Sequence, residues 1–182
     1  MAGNQSEAGF NYIIRKKAVQ TQKSFITDQF LKRILPYFSS YQFAPDDSDI
    51  KKFLKINRDL RKENRLTYLK LGREASLERL WEGAFLRHKN AATTSRFAER
   101  RIYYYKGEKI DEQIHLGMDL ASLANSEVEA ANNGRVIFAD RLGIYGLTII
   151  LDHGQSVVST YSHLSEKLVE VGLKVKKEIL SD

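Results

Sequence analysis

The chain has 182 residues, a formal net charge of +6, four histidines and no cysteine. One domain or two small ones are expected at that length, and 42% hydrophobic with 29% charged residues fits a globular chain with a real core, not a disordered or collagen-like one. Without cysteine, disulfide frameworks, thiolate zinc sites, iron–sulfur clusters and cysteine nucleophiles are excluded, so any metal site must use His, Asp and Glu.

The N-terminus, Met-Ala-Gly-Asn-Gln-Ser-Glu, is polar, and no apolar run reaches the roughly 18 residues of a spanning helix. No signal or anchor segment is visible. Residues 11–19 offer an early strand. Phe30, Leu31, Ile34, Leu35 and Phe38 form a helical face interrupted by Pro36. Asp46, Asp47 or Ser48 can cap a second helix carrying Ile50, Phe53, Leu54 and Leu60. Leu77, Leu80, Trp81 and Phe85 fall at the spacing of a third.

The pattern changes near residue 100. Ile102–Tyr105 is aromatic and β-prone, and Lys106-Gly107-Glu108 follows as a hairpin turn. Asn132-Asn133-Gly134, between Val128–Ala131 and Arg135–Ala139, predicts another hairpin. Gly146–Leu151 is apolar enough for a buried strand. Asp152-His153-Gly154-Gln155 should turn it into a strand over Ser156–His163. Gly172, with Val169, Val171 and Val175, predicts one more small hairpin. The whole is therefore read as α+β: a mostly helical region over 1–100, then a sandwich- or barrel-like antiparallel β domain over 101–182.

Charge divides along the same line. Residues 106–182 carry 8 Lys+Arg against 12 Asp+Glu, leaving 21 basic and 11 acidic residues to 1–105. The basic half suits an anionic partner, although most of its charges are expected on solvated helix faces. Its basic residues are interleaved with acids, as in Asp59-Leu60-Arg61-Lys62-Glu63, and nucleic acid is not expected as a partner.

Candidate chemistry lies in the second half. His115-Leu116-Gly117-Met118-Asp119 offers a nitrogen and an oxygen ligand suited to zinc. In a straight strand the two residues would stand roughly 13 Å apart, but a bend at Gly117 would bring them together. His163, in Tyr161-Ser162-His163-Leu164, ends a strand and can move a proton at the sheet rim. His153 reads as a turn residue bonded to its neighbours, and His88, between Arg87 and Lys89, as solvated. No P-loop, dinucleotide glycine fingerprint, His-Glu-x-x-His helix or nucleophile elbow occurs.

Taken together, His115-Leu116-Gly117-Met118-Asp119-Leu120-Ala121, Asn133-Gly134-Arg135-Val136, Gly143-Ile144-Tyr145-Gly146, Ile150-Leu151-Asp152-His153-Gly154, Tyr161-Ser162-His163-Leu164 and Val169–Val175 resemble the M23 metallopeptidases. These are the lysostaphin-like, LytM-type zinc endopeptidases of bacterial envelopes. The resemblance covers about residues 100–182, with a looser one upstream to the helical domain of longer relatives. It implies a small antiparallel β domain with an open groove, one zinc ion, His115 and Asp119 as zinc ligands, and His163 as a catalytic histidine. Zinc-activated water would attack a peptide carbonyl while His163 stabilises the developing charge or shuttles protons.

The implied substrate is the peptide cross-link of peptidoglycan, and the implied setting is periplasmic or extracellular. The basic half would hold anionic wall polymers or cover the groove. The family's later His-x-His motif, with the third zinc ligand, does not follow His163; the chain reads as truncated before it, with weak or no activity expected. An incomplete sheet would leave an edge open to self-association. The alternative is a non-catalytic LytM-type module that binds wall or regulates other wall hydrolases.

Overall fold

A computed structural model describes residues 18–123 and 126–177. Most of the early strand expected over 11–19 therefore lies outside the described residues, as do the last five residues. The first strand, β1 (Thr21–Ile26), leads straight into α1 (Asp28–Ile34). Thr27 Oγ1 accepts from Phe30 N at 3.1 Å and caps that helix. At Pro36 the helix tightens into a 3-10 turn, Leu35–Phe38. Next comes α2 (Asp49–Lys55), entered at Ser48, then a π turn over Ile56–Leu60, then α3 (Arg61–Arg73).

The helices bury their apolar stripes against a sheet. Strand β3 (Arg100–Tyr105) pairs in parallel with β1 and antiparallel with β4 (Glu108–Ile114). Lys106 and Gly107 take φ of 48° and 90°, the left-handed pair that a two-residue hairpin requires. Ile26, Leu31, Phe53 and Tyr103 form the core between helices and sheet. The π turn aims Asn57 at this sheet: its Nδ2 donates to Asp111 Oδ2 at 2.7 Å, beside the Arg58–Asp111 ion pair at 3.0 Å.

A second sheet is small: β2 (Ala92–Ser95) against β5 (Asp119–Ala121). The third has the order β8-β7-β6-β9 and is wholly antiparallel, with β6 (Gly134–Arg141), β7 (Leu147–Gly154), β8 (Val157–Leu164) and β9 (Lys174–Val175). Its core is Ala130, Val136, Ala139, Ile149, Leu151, Val169 and Val175. Asn64 Oδ1 accepts from Ile144 N at 3.0 Å and ties α3 to the 3-10 turn before β7. Helices joined to mainly antiparallel sheets make the fold α+β. No helix among the described residues is long and apolar enough to cross a membrane.

Three sequence expectations are corrected. Leu77, Leu80, Trp81 and Phe85 do not form a helix. Residues 76–86 run as a strap whose backbone bonds to the third sheet and its flanking loop instead of to itself. Leu80 N donates to His153 O at 2.7 Å, Gln155 N to Ser76 O at 2.6 Å and Leu86 N to Ala131 O at 2.8 Å. Those bonds outweigh the helical periodicity, which gives Leu77 no buried face: it is 91% exposed.

Nor does Asn132-Asn133-Gly134 close a hairpin, because Val128–Ala131 is not a strand. The asparagines bind other segments. Asn132 Oδ1 accepts from Glu82 N at 3.0 Å, and Asn133 O faces His153 Nδ1 at 2.6 Å. Lastly, Val169–Val175 is not a hairpin; only Lys174–Val175 is strand, and it pairs with β6. The expected turn after Leu151 falls slightly later, at Gln155 and Ser156, with φ of 51° and 61°.

Candidate metal centre

The bend at Gly117 lies between the end of β4 and the start of β5. It places His115 Nε2 3.0 Å from Asp119 Oδ1. His115 is pinned on its other sides by the turn before β3. Its backbone N donates to Glu99 O and its O accepts from Ala98 N, both at 2.8 Å. Ala98 holds the left-handed φ of 66° that shapes this turn. The ring's Nδ1 lies 3.1 Å from Arg96 O.

A carbonyl only accepts, so Nδ1 carries the proton. Nε2, facing a carboxylate oxygen, then needs an electrophile between them, either a proton or a metal ion. Two donors each about 2 Å from a tetrahedral zinc stand about 3.3 Å apart. The pair fits that spacing, and a Nδ1–H bonded to a backbone carbonyl is the usual anchor of a ligating histidine.

Asp119 has a second partner. Its Oδ2 accepts from Arg101 Nη2 at 2.8 Å. Arg101 also donates to Ser95 Oγ at 2.8 Å, and Ser95 Oγ donates to Glu99 Oε1 at 3.0 Å. Arg101 Nε reaches Glu99 Oε1 at 3.4 Å. Ser95 and Glu99 are each 7% exposed, so this is a nearly buried polar cluster beside the pair. The sequence reading missed it.

His163 stands apart. It is exposed near the end of β8, an edge strand, with φ of 59°. Its ring lies beside Gly146, with Nδ1 3.7 Å from where a side chain on that glycine would begin. No hydrogen bond or ion pair joins it to His115 or Asp119, and no group of three potential metal ligands occurs among the described residues. A catalytic zinc takes three protein ligands. The structure brings two together.

His153 is a buried residue of β7, not the turn residue expected. Its Nδ1 donates to Asn133 O, its Nε2 meets Ser159 Oγ at 2.7 Å, and Phe85 of the strap stands edge-on to it, centroids 4.8 Å apart. Burial pushes its pKa down, against the opposing pull of Asn133 O and Asp152. These contacts make it a packing element.

The model of Peptidase family M23 matches residues 113–179, which include His115, Asp119 and His163. The chain carries an M23-family domain. Over 71 residues, 38% of this chain, it is 37% identical to the murein hydrolase activator EnvC of Escherichia coli strain K12. It spans 17% of that relative's length. A crystal structure of an M23 peptidase from Pseudomonas aeruginosa superposes with a TM-score of 0.44 and 22% identity, over 74% of this chain and 48% of that one. Arg101, Ser95 and Glu99 all precede the matched segment.

Proposed function

We propose that the chain is an M23 peptidase module of the bacterial cell envelope, acting on peptide cross-links of peptidoglycan with zinc held in part by His115 and Asp119. The observation that supports it is the 3.0 Å approach of His115 Nε2 to Asp119 Oδ1, with Nδ1 anchored on a carbonyl. Zinc, when bound, supplies Lewis-acid activation of water and of the peptide carbonyl. His115 and Asp119 present one nitrogen and one oxygen to it. Arg101 takes the outer carboxylate oxygen, which leaves Oδ1 facing the metal position. The exposed His163 serves as the group that moves a proton or steadies charge on the substrate oxygen. The basic N-terminal half draws the module toward anionic wall polymers.

Two ligands in contact leave a catalytic zinc one donor short, so weak hydrolysis is expected from the described residues by themselves. A second reading is a non-catalytic module that binds wall or regulates other wall hydrolases. It is favoured by the absence of a three-ligand cluster among the described residues and by the name of the E. coli relative, an activator.

One experiment separates them. The full chain is titrated with Zn2+ by calorimetry and incubated with purified peptidoglycan. Zinc uptake lost in His115→Ala and Asp119→Asn, with release of peptide fragments, supports the endopeptidase. Zinc uptake and wall binding without release support the second reading. A chain that takes no zinc refutes the metal centre.

A further inference from the structure

We propose that the strap over residues 76–86 is a latch that opens when His153 takes a proton on Nε2. The device lies apart from the His115–Asp119 pair and needs no metal.

The groups around His153 form a hydrogen-bond chain with one permitted direction. Asn133 O only accepts, so Nδ1 donates to it at 2.6 Å, and Nε2 of the neutral ring must accept. Ser159 Oγ donates to Nε2 at 2.7 Å. With its proton committed there, Ser159 Oγ accepts from Tyr161 Oη, 3.0 Å away. Tyr161 Oη in turn accepts from Ala131 N at 2.7 Å. A carbonyl and a backbone N–H cannot exchange roles, so the chain is fixed at both ends. A proton on Nε2 makes Ser159 an acceptor and turns its hydroxyl proton toward Tyr161. The Tyr161 proton is then left with no acceptor among the described residues, a costly state inside the fold.

The same segment holds the strap. Ala131 O accepts from Leu86 N at 2.8 Å, and His153 O accepts from Leu80 N at 2.7 Å. Between Ala131 and Asn133, the buried Asn132 bonds the N and O of Glu82, each at 3.0 Å. Phe85 closes over the imidazole. A charged ring therefore disturbs residues 131–133 and the Phe85 contact together, and lifting the strap admits water to both. Asp152, next along β7, favours the charged ring, but its two oxygens already accept from Ser76 N and Gly154 N, and burial of the ring prevails. Arg135 on β6 pairs with Asp152, and Tyr161 is the titratable group of β8. Glu78, Arg79 and Glu82 of the strap are exposed, and Lys177 Nζ beyond β9 donates to Ala84 O.

The test is amide exchange of the full chain between pH about 7.5 and 5.5, corrected for the intrinsic pH dependence of exchange. One proton taken up on opening, at the ordinary histidine pKa near 6.5, should lower protection at Leu80, Glu82 and Leu86 by up to about tenfold over that range. Amides of the β3–β4 hairpin should keep theirs. His153→Gln should abolish the dependence at the strap. Strap protection that does not change with pH, or that falls only as far as the hairpin's falls, overturns the proposal. So does a dependence that survives in His153→Gln. If that variant does not fold, the other three histidines decide. The dependence should survive in His88→Gln, His115→Gln and His163→Gln, and its loss in any one of them overturns the proposal.

Discussion

Asp152 anchors the strap, and Asp152→Asn measures how much that anchor is worth. The carboxylate has no exposure to solvent. Oδ2 accepts from Ser76 N at 2.9 Å and Oδ1 from Gly154 N at 2.7 Å. Arg135 is 3.5 Å away and 45% exposed, so its share is neglected. Asparagine has the same shape and leaves no cavity, but it offers one acceptor and one donor to two N–H groups. One bond weakens from charge-assisted to neutral, at about 1 kcal/mol, and the other is lost, at about 2 kcal/mol. The sum is about 3 kcal/mol, or about 6–12 °C in Tm for a chain of this size. Urea denaturation followed by circular dichroism gives the first figure and a thermal melt the second. Amide exchange at Ser76 and Gly154 shows which bond broke. A loss under about 1 kcal/mol would refute the view that this buried carboxylate clasps the strap.

Gly154→Ala tests the same contact sterically. Gly154 has φ of 89°, and an added Cβ would stand 1.7 Å from Glu78 O, so the strap must lift; we expect a loss of at least about 2 kcal/mol and faster exchange at Leu80. For His153, burial holds the folded pKa below its ordinary value near 6.5. The unfolded chain then binds a proton that the folded chain declines, so this contribution is complete above pH about 6.5 and falls as pH drops through that value. His153→Gln should flatten the slope of urea midpoints between pH about 5 and 7, and an unchanged slope assigns it elsewhere. The β8 edge should support self-association in size-exclusion chromatography at rising concentration, and a sharp monomer throughout counts against it.

Local signals in the sequence were legible where local chemistry decided the outcome. The Lys106-Gly107 turn needs two left-handed residues, and that requirement is visible in the letters. The Pro36 interruption marks the change from α to 3-10 helix for the same reason. The strap was illegible because its apolar spacing is helical while its hydrogen-bond partners lie some 45 to 80 residues away along the chain. The Asn132 segment failed likewise: a strong turn signal was overridden by a side chain whose partners are Glu82 and Ala84. In the His115–Asp119 pair, the need for a bend at Gly117 could be read from strand geometry. Arg101 could not, since nothing in its neighbourhood of arginines and tyrosines marks it from Arg100, whose own partner is Glu112.

The helical half supports the placement of the His115–Asp119 pair. His115 follows β4 and Asp119 opens β5, while Arg101 lies on β3. None of the three belongs to the four-stranded sheet that carries His163. Strand β3 is held between β1 and β4, and β4 is held by Asn57 and Arg58 through Asp111. The geometry of His115 and Asp119 thus depends on the packing of α1, α2 and the π turn against the β3–β4 hairpin. The distance from that sheet to the one bearing His163 depends on other joints, among them Asn64 with Ile144. The His115–Asp119 pair and the sheet that carries His163 are therefore held by separate contacts of the same helical region, and a change at Asn57 should disturb the pair while one at Asn64 should disturb the 3-10 turn before β7.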